Sequence, residues 1–134
     1  MVKELTFSSS SKLELIDITS QIEEVVLNSK VEKGLCFISV PHATAAIILN
    51  ENESGLKEDI LKSFEKIVPP NSEYLHNQVD NNAQAHILSS ILGQNKFLLV
   101  KDGRLIRGTW QNIFFVELDG PRSRRRVIIK VEKA

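Results

Sequence analysis

The chain has 134 residues, 42% of them hydrophobic and 25% charged, with no formal net charge at neutral pH. That size and balance suit one globular domain over residues 1–134, able to bury roughly two-thirds of the surface its unfolded form exposes, and they exclude an intrinsically disordered chain. No basic, apolar leader opens the sequence and no apolar run is long enough to span a bilayer, so the expected setting is cytoplasmic, with no membrane partner.

Strand-forming residues open the chain at 3–8 and return at 12–18 after a serine-rich turn, which reads as an antiparallel hairpin. Ser20-Gln21-Ile22-Glu23 has capping-box spacing, and Ile22, Val25 and Val26 give the helix that follows, to about Ser29, an apolar stripe. Residues 34–40 are apolar enough for a central strand, Pro41-His42 interrupts it, and residues 44–49 resume as a second buried strand. Cys36, the only cysteine, lies between Leu35 and Phe37 and reads as a small buried residue.

Leu56, Ile60, Leu61, Phe64 and Ile67 recur at helical spacing, and Pro69-Pro70 stops the helix they imply. Residues 71–82 are too rich in Asn, Asp and Gln for core and read as a loop, leading to a helix over residues 83–92 that Gly93 ends. A second hairpin follows, 97–100 and 105–107 around a tight turn at Asp102-Gly103. Long strands over 109–118 and 126–132 complete the sheet. With no regular strand–helix alternation, the pattern predicts an α+β fold: a mainly antiparallel sheet with about three helices on one side.

The chain has three histidines, His42, His76 and His86, each in a polar setting beside a regular element. Three neutral imidazoles are the number a catalytic zinc site takes while leaving a position open, but steps of 34 and ten residues match no short metal motif, so only folding brings them together. Glu51, after a buried strand, reads either as a helix-start acid or as a base that orients a ligand or moves protons; Asp59 reads as a solvated acid. Residues 121–134 hold six Lys or Arg against Glu132 alone, so the rest of the chain is net negative. The turn Asp119-Gly120-Pro121-Arg122 followed by Arg124 suits an anion, since guanidinium forks match phosphate, although an Asp–Arg pair in a turn also serves as a plain salt bridge. The aromatic interleaving of a nucleic-acid surface is missing, so no nucleic-acid partner is expected. Trp110 and Gln111 are candidates to line a pocket, although Trp110 reads first as a large core or interface side chain.

Taken in order, His42-Ala43-Thr44-Ala45-Ala46-Ile47 with Asn50-Glu51, Tyr74-Leu75-His76, Ala85-His86-Ile87 with Ser89-Ser90 and Leu92-Gly93, Gly108-Thr109-Trp110-Gln111, and Asp119-Gly120-Pro121-Arg122-Ser123-Arg124 resemble the YjbQ family. The one departure is Phe97-Leu98-Leu99, where members often carry Ile-Pro-Val. The resemblance implies an α+β homotrimer that binds a divalent metal ion, zinc or, with a diphosphate substrate, magnesium. It puts His42, His76 and His86 at the metal, and Glu51, Arg122 and Arg124 in the catalytic machinery. It also implies an activity on a small phosphorylated metabolite, that of a secondary thiamine-phosphate synthase joining a pyrimidine diphosphate to a thiazole phosphate. Two alternatives stand beside it: a trimeric metal or phosphometabolite binding protein with incidental activity, and a metal-dependent hydrolase. The long strand over residues 112–118, apolar on both faces, gives a reason of its own for self-association.

Overall fold

The computed structural model describes residues 2–134. In chain order its elements are β1 (Val2–Phe7), β2 (Glu14–Asp17), α1 (Thr19–Ser29), β3 (Lys33–Ser39), β4 (Ala45–Asn50), α2 (Ser54–Ile67), one 3-10 turn (Leu75–Gln78), α3 (Ala83–Leu92), β5 (Asn95–Lys101), β6 (Arg104–Leu105), β7 (Asn112–Glu117) and β8 (Arg125–Lys133). The strands form two antiparallel sheets, one of five in the order β1-β8-β3-β5-β6 and one of three in the order β2-β7-β4. The chain is α+β, with three helices and antiparallel pairing throughout.

Two apolar layers hold it together. The inner face of the five-stranded sheet, with Cys36, Ile38, Val127 and Ile129, packs against Ile22 and Val26 of α1 and against Ile47, Ile113 and Phe115 of the smaller sheet. Phe7 meets Phe115 edge to face at 4.9 Å, a favoured aromatic geometry. The opposite face of the smaller sheet, with Ala46, Val116 and Leu118, is covered by Phe64, Val68, Ala85 and Leu88 from α2 and α3. Both faces of β7 are therefore buried inside one chain, which explains its unbroken apolar run without any second subunit, contrary to the expectation drawn from the sequence.

Three local expectations are corrected. β1 and β2 do not form a hairpin: β1 pairs with β8, Val2 opposite Lys130, whereas β2 pairs with β7, Glu14 opposite Glu117, so the serine-rich segment carries the chain from one sheet to the other. The capping box at Ser20 is not used. Helix α1 begins at Thr19, whose backbone N–H and hydroxyl both donate to Asp17, at 2.9 and 2.6 Å, while the same hydroxyl accepts the N–H of Ile113 at 2.8 Å. That link to β7 sets the helix start one residue ahead of Ser20. Finally, Glu53 rather than Glu51 caps α2, accepting the N–H groups of Gly55 and Leu56.

Other readings hold. Phe64 is buried and Ile60 and Leu61 pack beside it, as the α2 stripe requires, whereas Ile67 at the end of the stripe is 67% exposed. Asp102 and Gly103 both take positive φ, 53° and 76°, the backbone a two-residue hairpin turn between β5 and β6 demands. Cys36 is buried, which pushes its thiol up to about 11 and leaves it an inert packing residue. No helix among the described residues is long and apolar enough to cross a membrane.

Candidate functional site

The C-terminal end of β7 carries a buried acid. Glu117 is inaccessible to solvent, and an isolated carboxylate there would carry a large desolvation cost. It is instead saturated. Arg125, at the start of β8, pairs with both of its oxygens, the Ser9 hydroxyl donates to it, and the backbone N–H groups of Leu118 and Asp119 donate at 3.0 and 3.1 Å. Burial alone pulls the Glu117 pKa up, but Arg125, Ser9 and the backbone donor outweigh it, and the acid stays below its ordinary range. Nη2 of Arg125 also reaches Thr44, whose carbonyl and hydroxyl oxygens each lie 3.1 Å away. One ion pair thus ties together the Ser9 segment, the loop before β4, the end of β7 and the start of β8.

The turn after Glu117 is pressed against the same segment. A side chain at Gly120 would put its Cβ 2.1 Å from the Ser11 carbonyl oxygen, so only glycine fits. Ser9 N–H donates to the Arg122 carbonyl and Arg122 N–H to the Ser9 hydroxyl, each at 2.9 Å. Arg122 itself is turned back onto Asp119 in an ion pair at 2.8 Å.

From Asp119 a polar chain runs to two histidines. The amide nitrogen of Asn82 donates to Asp119 at 2.9 Å, and the Asn82 amide oxygen faces Nε2 of His76 at 2.8 Å. An ionised carboxylate only accepts, which fixes the orientation of the Asn82 amide and makes His76 Nε2 the donor. In neutral His76 the free lone pair is then on Nδ1. The ring of His86, on α3, stands edge-on to it with centroids 4.7 Å apart. These two rings, with Glu73, Tyr74 and Leu75, line a pocket of about 420 Å³. The segment read as loop is one 3-10 turn at this point, which brings His76 up beside α3.

His42 is held differently. Its Nε2 accepts the backbone N–H of Arg126 at 2.9 Å, so in the neutral ring the proton sits on Nδ1. Burial lowers its pKa, and Arg125 lowers it further, with Glu117 opposing and Arg126 and Arg122 adding to the fall. His42 is a neutral imidazole whose Nδ1–H is a donor in a field of guanidinium groups.

Of the residues singled out in the sequence, the fold brings His76 and His86 into contact, and links them through Asn82 and Asp119 to Arg122. It does not add His42 to the pair. A metal ligand offers a lone pair, and the one on His42 already accepts a peptide N–H, so the three imidazoles of one chain do not fit a shared three-histidine ion site. Among the described residues no three His, Cys, Asp or Glu side chains are grouped to hold a metal. Arg124 is exposed and forms no ion pair among the described residues. Glu51 lies beyond the far end of β4 from His42, roughly 20 Å along an extended strand, and takes no part in this cluster. Sequence reasoning missed Glu117, Ser9 and Asn82, and counted Arg125 only among the six basic residues of 121–134. An acid inside an apolar strand was the available signal for Glu117.

Fold and site together define an α+β domain whose β7 end gathers arginines, a neutral imidazole and an imidazole pair around one buried ion pair. The chain belongs to the YjbQ family: the family model described as "UPF0047 protein YjbQ-like" matches residues 3–134. A UPF0047 protein of Archaeoglobus fulgidus is 46% identical over 127 residues, spanning 95% of this chain and 98% of that one. The Bacillus subtilis UPF0047 protein YugU is 39% identical over 125 residues, spanning 92% and 94% of the two chains. A crystal structure of a YbjQ-like protein of unknown function from Sulfolobus solfataricus superposes with a TM-score of 0.98 at 43% identity, covering all of this chain and 97% of that one.

The His42 geometry sets a pH dependence. Its folded pKa lies below the unfolded value near 6.5, so its contribution to stability is present above that value and is lost as the pH falls below it, where the unfolded chain takes up a proton that the folded one resists. In His42→Gln an amide oxygen can still accept the Arg126 N–H but does not titrate. The difference between the urea midpoints of wild type and His42→Gln should therefore shrink as the pH is lowered from about 8 to about 5. A difference constant with pH would show that His42 is not held neutral.

Proposed function

We propose that the protein is an enzyme acting on small phosphorylated metabolites, of the kind that joins a pyrimidine diphosphate to a thiazole phosphate. In that reaction the methylene C–O bond breaks, a C–N bond forms to the thiazole nitrogen, and diphosphate leaves with the electron pair. Little general acid–base chemistry is required at the reacting carbon. The main demand is for positive charge and hydrogen-bond donors where the diphosphate charge develops, preorganised away from bulk water.

The observation that carries the reading is the donor set at the start of β8: Arg124 without an ion pair among the described residues, Arg122 set by Asp119, and His42 kept neutral with Nδ1–H as a donor. Arg122 and Arg124 supply the guanidinium groups for phosphate oxygens, and His42 adds a neutral donor. Asp119 and Asn82 orient His76, whose Nδ1 can take or hold a proton beside the pocket it shares with His86. Glu51, remote from this cluster, has no part in the proposed chemistry. A divalent ion enters this reading only as a companion of the diphosphate substrate, and every step rests on the chain's own residues.

Inorganic diphosphate is the direct probe. Calorimetric titration should show binding that weakens by about tenfold in Arg124→Ala, the loss of one charge-assisted hydrogen bond, and by less in His42→Gln. Both variants keep the buried ion pair. Affinity unchanged in both variants, together with no turnover on the two thiamine precursors, would overturn the proposal.

The homotrimer implied by the family resemblance belongs to the same proposal. Its support is a set of exposed apolar residues on and beside the 3-10 turn and α3, the two elements that carry the histidine pair: Leu75 and Val79 at 84% exposure, and Ile91 at 61%. Apolar surface of that extent beside a binding pocket is what a neighbouring subunit covers. Native mass spectrometry should give three times the 15.1 kDa chain mass, and Ile91→Glu should shift it toward the monomer. A wild-type species at the chain mass alone would rule the trimer out.

A further inference from the structure

The string Gly108-Thr109-Trp110-Gln111 lies outside the site just described. It precedes β7, whereas the buried ion pair follows from the other end of that strand, roughly 20 Å away at ordinary strand rise. Trp110, read from its size as a core or interface side chain, is 71% exposed and so does not belong to the core. The loop that carries it is nonetheless rigidly tied. Gly108 N–H donates to the side-chain oxygen of Gln111 at 2.8 Å, Gln111 N–H donates back to the Gly108 carbonyl at 3.0 Å, and Arg107 donates to the Gln111 carbonyl at 2.9 Å. Arg107 also pairs with Glu23 of α1 at 2.8 Å, pinning the loop to the helix.

This loop forms one wall of a groove of about 620 Å³, with β6 beside it and α1 opposite. The volume is that of a site for a small organic molecule. Arg107 and Glu23 neutralise each other, which leaves Glu24 on the α1 side and Arg104 on the β6 side as the charges of the lining without an ion pair among the described residues. Leu27, 65% exposed, and Leu105 supply apolar lining, and Ser20 and Thr109 supply hydroxyls. An anion alone would face Glu24, and a cation alone would face Arg104. A molecule carrying both charges satisfies both walls.

We propose that this groove is a second binding site, independent of the histidine–arginine cluster, for a small dipolar metabolite: its cationic amine meets Glu24, its carboxylate or phosphate meets Arg104, and a short apolar body lies against Leu27 and Leu105. The preformed wall lowers the ordering cost of binding.

Trp110 is the only tryptophan and is bonded directly to the groove residue Thr109, so its fluorescence reports on the groove. The probes are ω-amino acids of increasing length, from glycine to aminohexanoate, each compared with the alkylamine and the carboxylate of the same length. At least one dipolar probe should give a saturable change and bind about tenfold more tightly than either singly charged control. In Arg104→Ala its affinity should fall to that of the amine, and in Glu24→Gln to that of the carboxylate. Both side chains are exposed, and circular dichroism confirms that the variants fold. Diphosphate affinity should stay at the wild-type value in both, separating this site from the other one. The proposal fails if no length gives a saturable change, if singly charged controls bind equally well, if the two variants bind like wild type, or if the signal follows protein concentration rather than probe, which would make the groove a contact between copies.

Discussion

Among the described residues, Glu117 and its partner Arg125 are the charged side chains driven into the core. The strand of Glu117, β7, is enclosed on both faces by apolar layers, so the carboxylate has no route to water, and every lone pair is met from within the chain. Arg125 meets both carboxylate oxygens and in turn reaches Thr44. Removing one member of such a pair leaves the other charged and unpaired, which is why pairs of this kind are destructive to break although they add little net stability over an apolar replacement. Their value lies in position. Here the pair fastens the two sheets at one end, and the segments it fastens are those bearing His42, Asp119 and Arg122.

Distinct roles for His42 and His76 follow from the same framework. His42 receives a peptide N–H from β8 and sits among arginines, so it is kept neutral with its proton on Nδ1. His76 faces an amide oxygen whose orientation Asp119 dictates, so its available lone pair is on Nδ1. Equivalent in sequence, the rings present a donor in one case and an acceptor in the other. A cluster that pairs fixed donors with an oriented base suits the handling of a charged leaving group better than symmetric coordination of one ion. The far end of β7 has a different character, with mixed charges, an open groove and an exposed indole on a stiff loop.

Much of the architecture was legible because it rests on local rules. The α2 stripe as far as Phe64, the Asp102-Gly103 turn and the Gly93 stop need only a few neighbouring residues to be read, and each stands where the pattern put it. The division into two sheets was not legible, because β1 takes its partner from the opposite end of the chain and short local spacing suggested a hairpin instead. In the site, residue type pointed to the right segments but not always to the right members. Four arginines lie within residues 122–126, and only burial distinguishes Arg125, which serves the core, from Arg124, which faces solvent. His76 and His86 come together because a one-turn helix and α3 share a corner, while Glu51 is carried away by the length of β4.

The dependence of the site on the buried pair is tested most directly by Glu117→Ala, followed by urea unfolding and by nitrogen-15 spectra of the His42 ring. Loss of about 3–5 kcal/mol of stability is the result expected for an uncompensated Arg125, and the displaced start of β8 would withdraw the Arg126 N–H that holds His42 as the Nδ1–H tautomer. A loss below about 1 kcal/mol with the His42 spectrum unchanged would mean that the ends of β7 and β8 are held by other contacts, and that the ion pair does not organise the site.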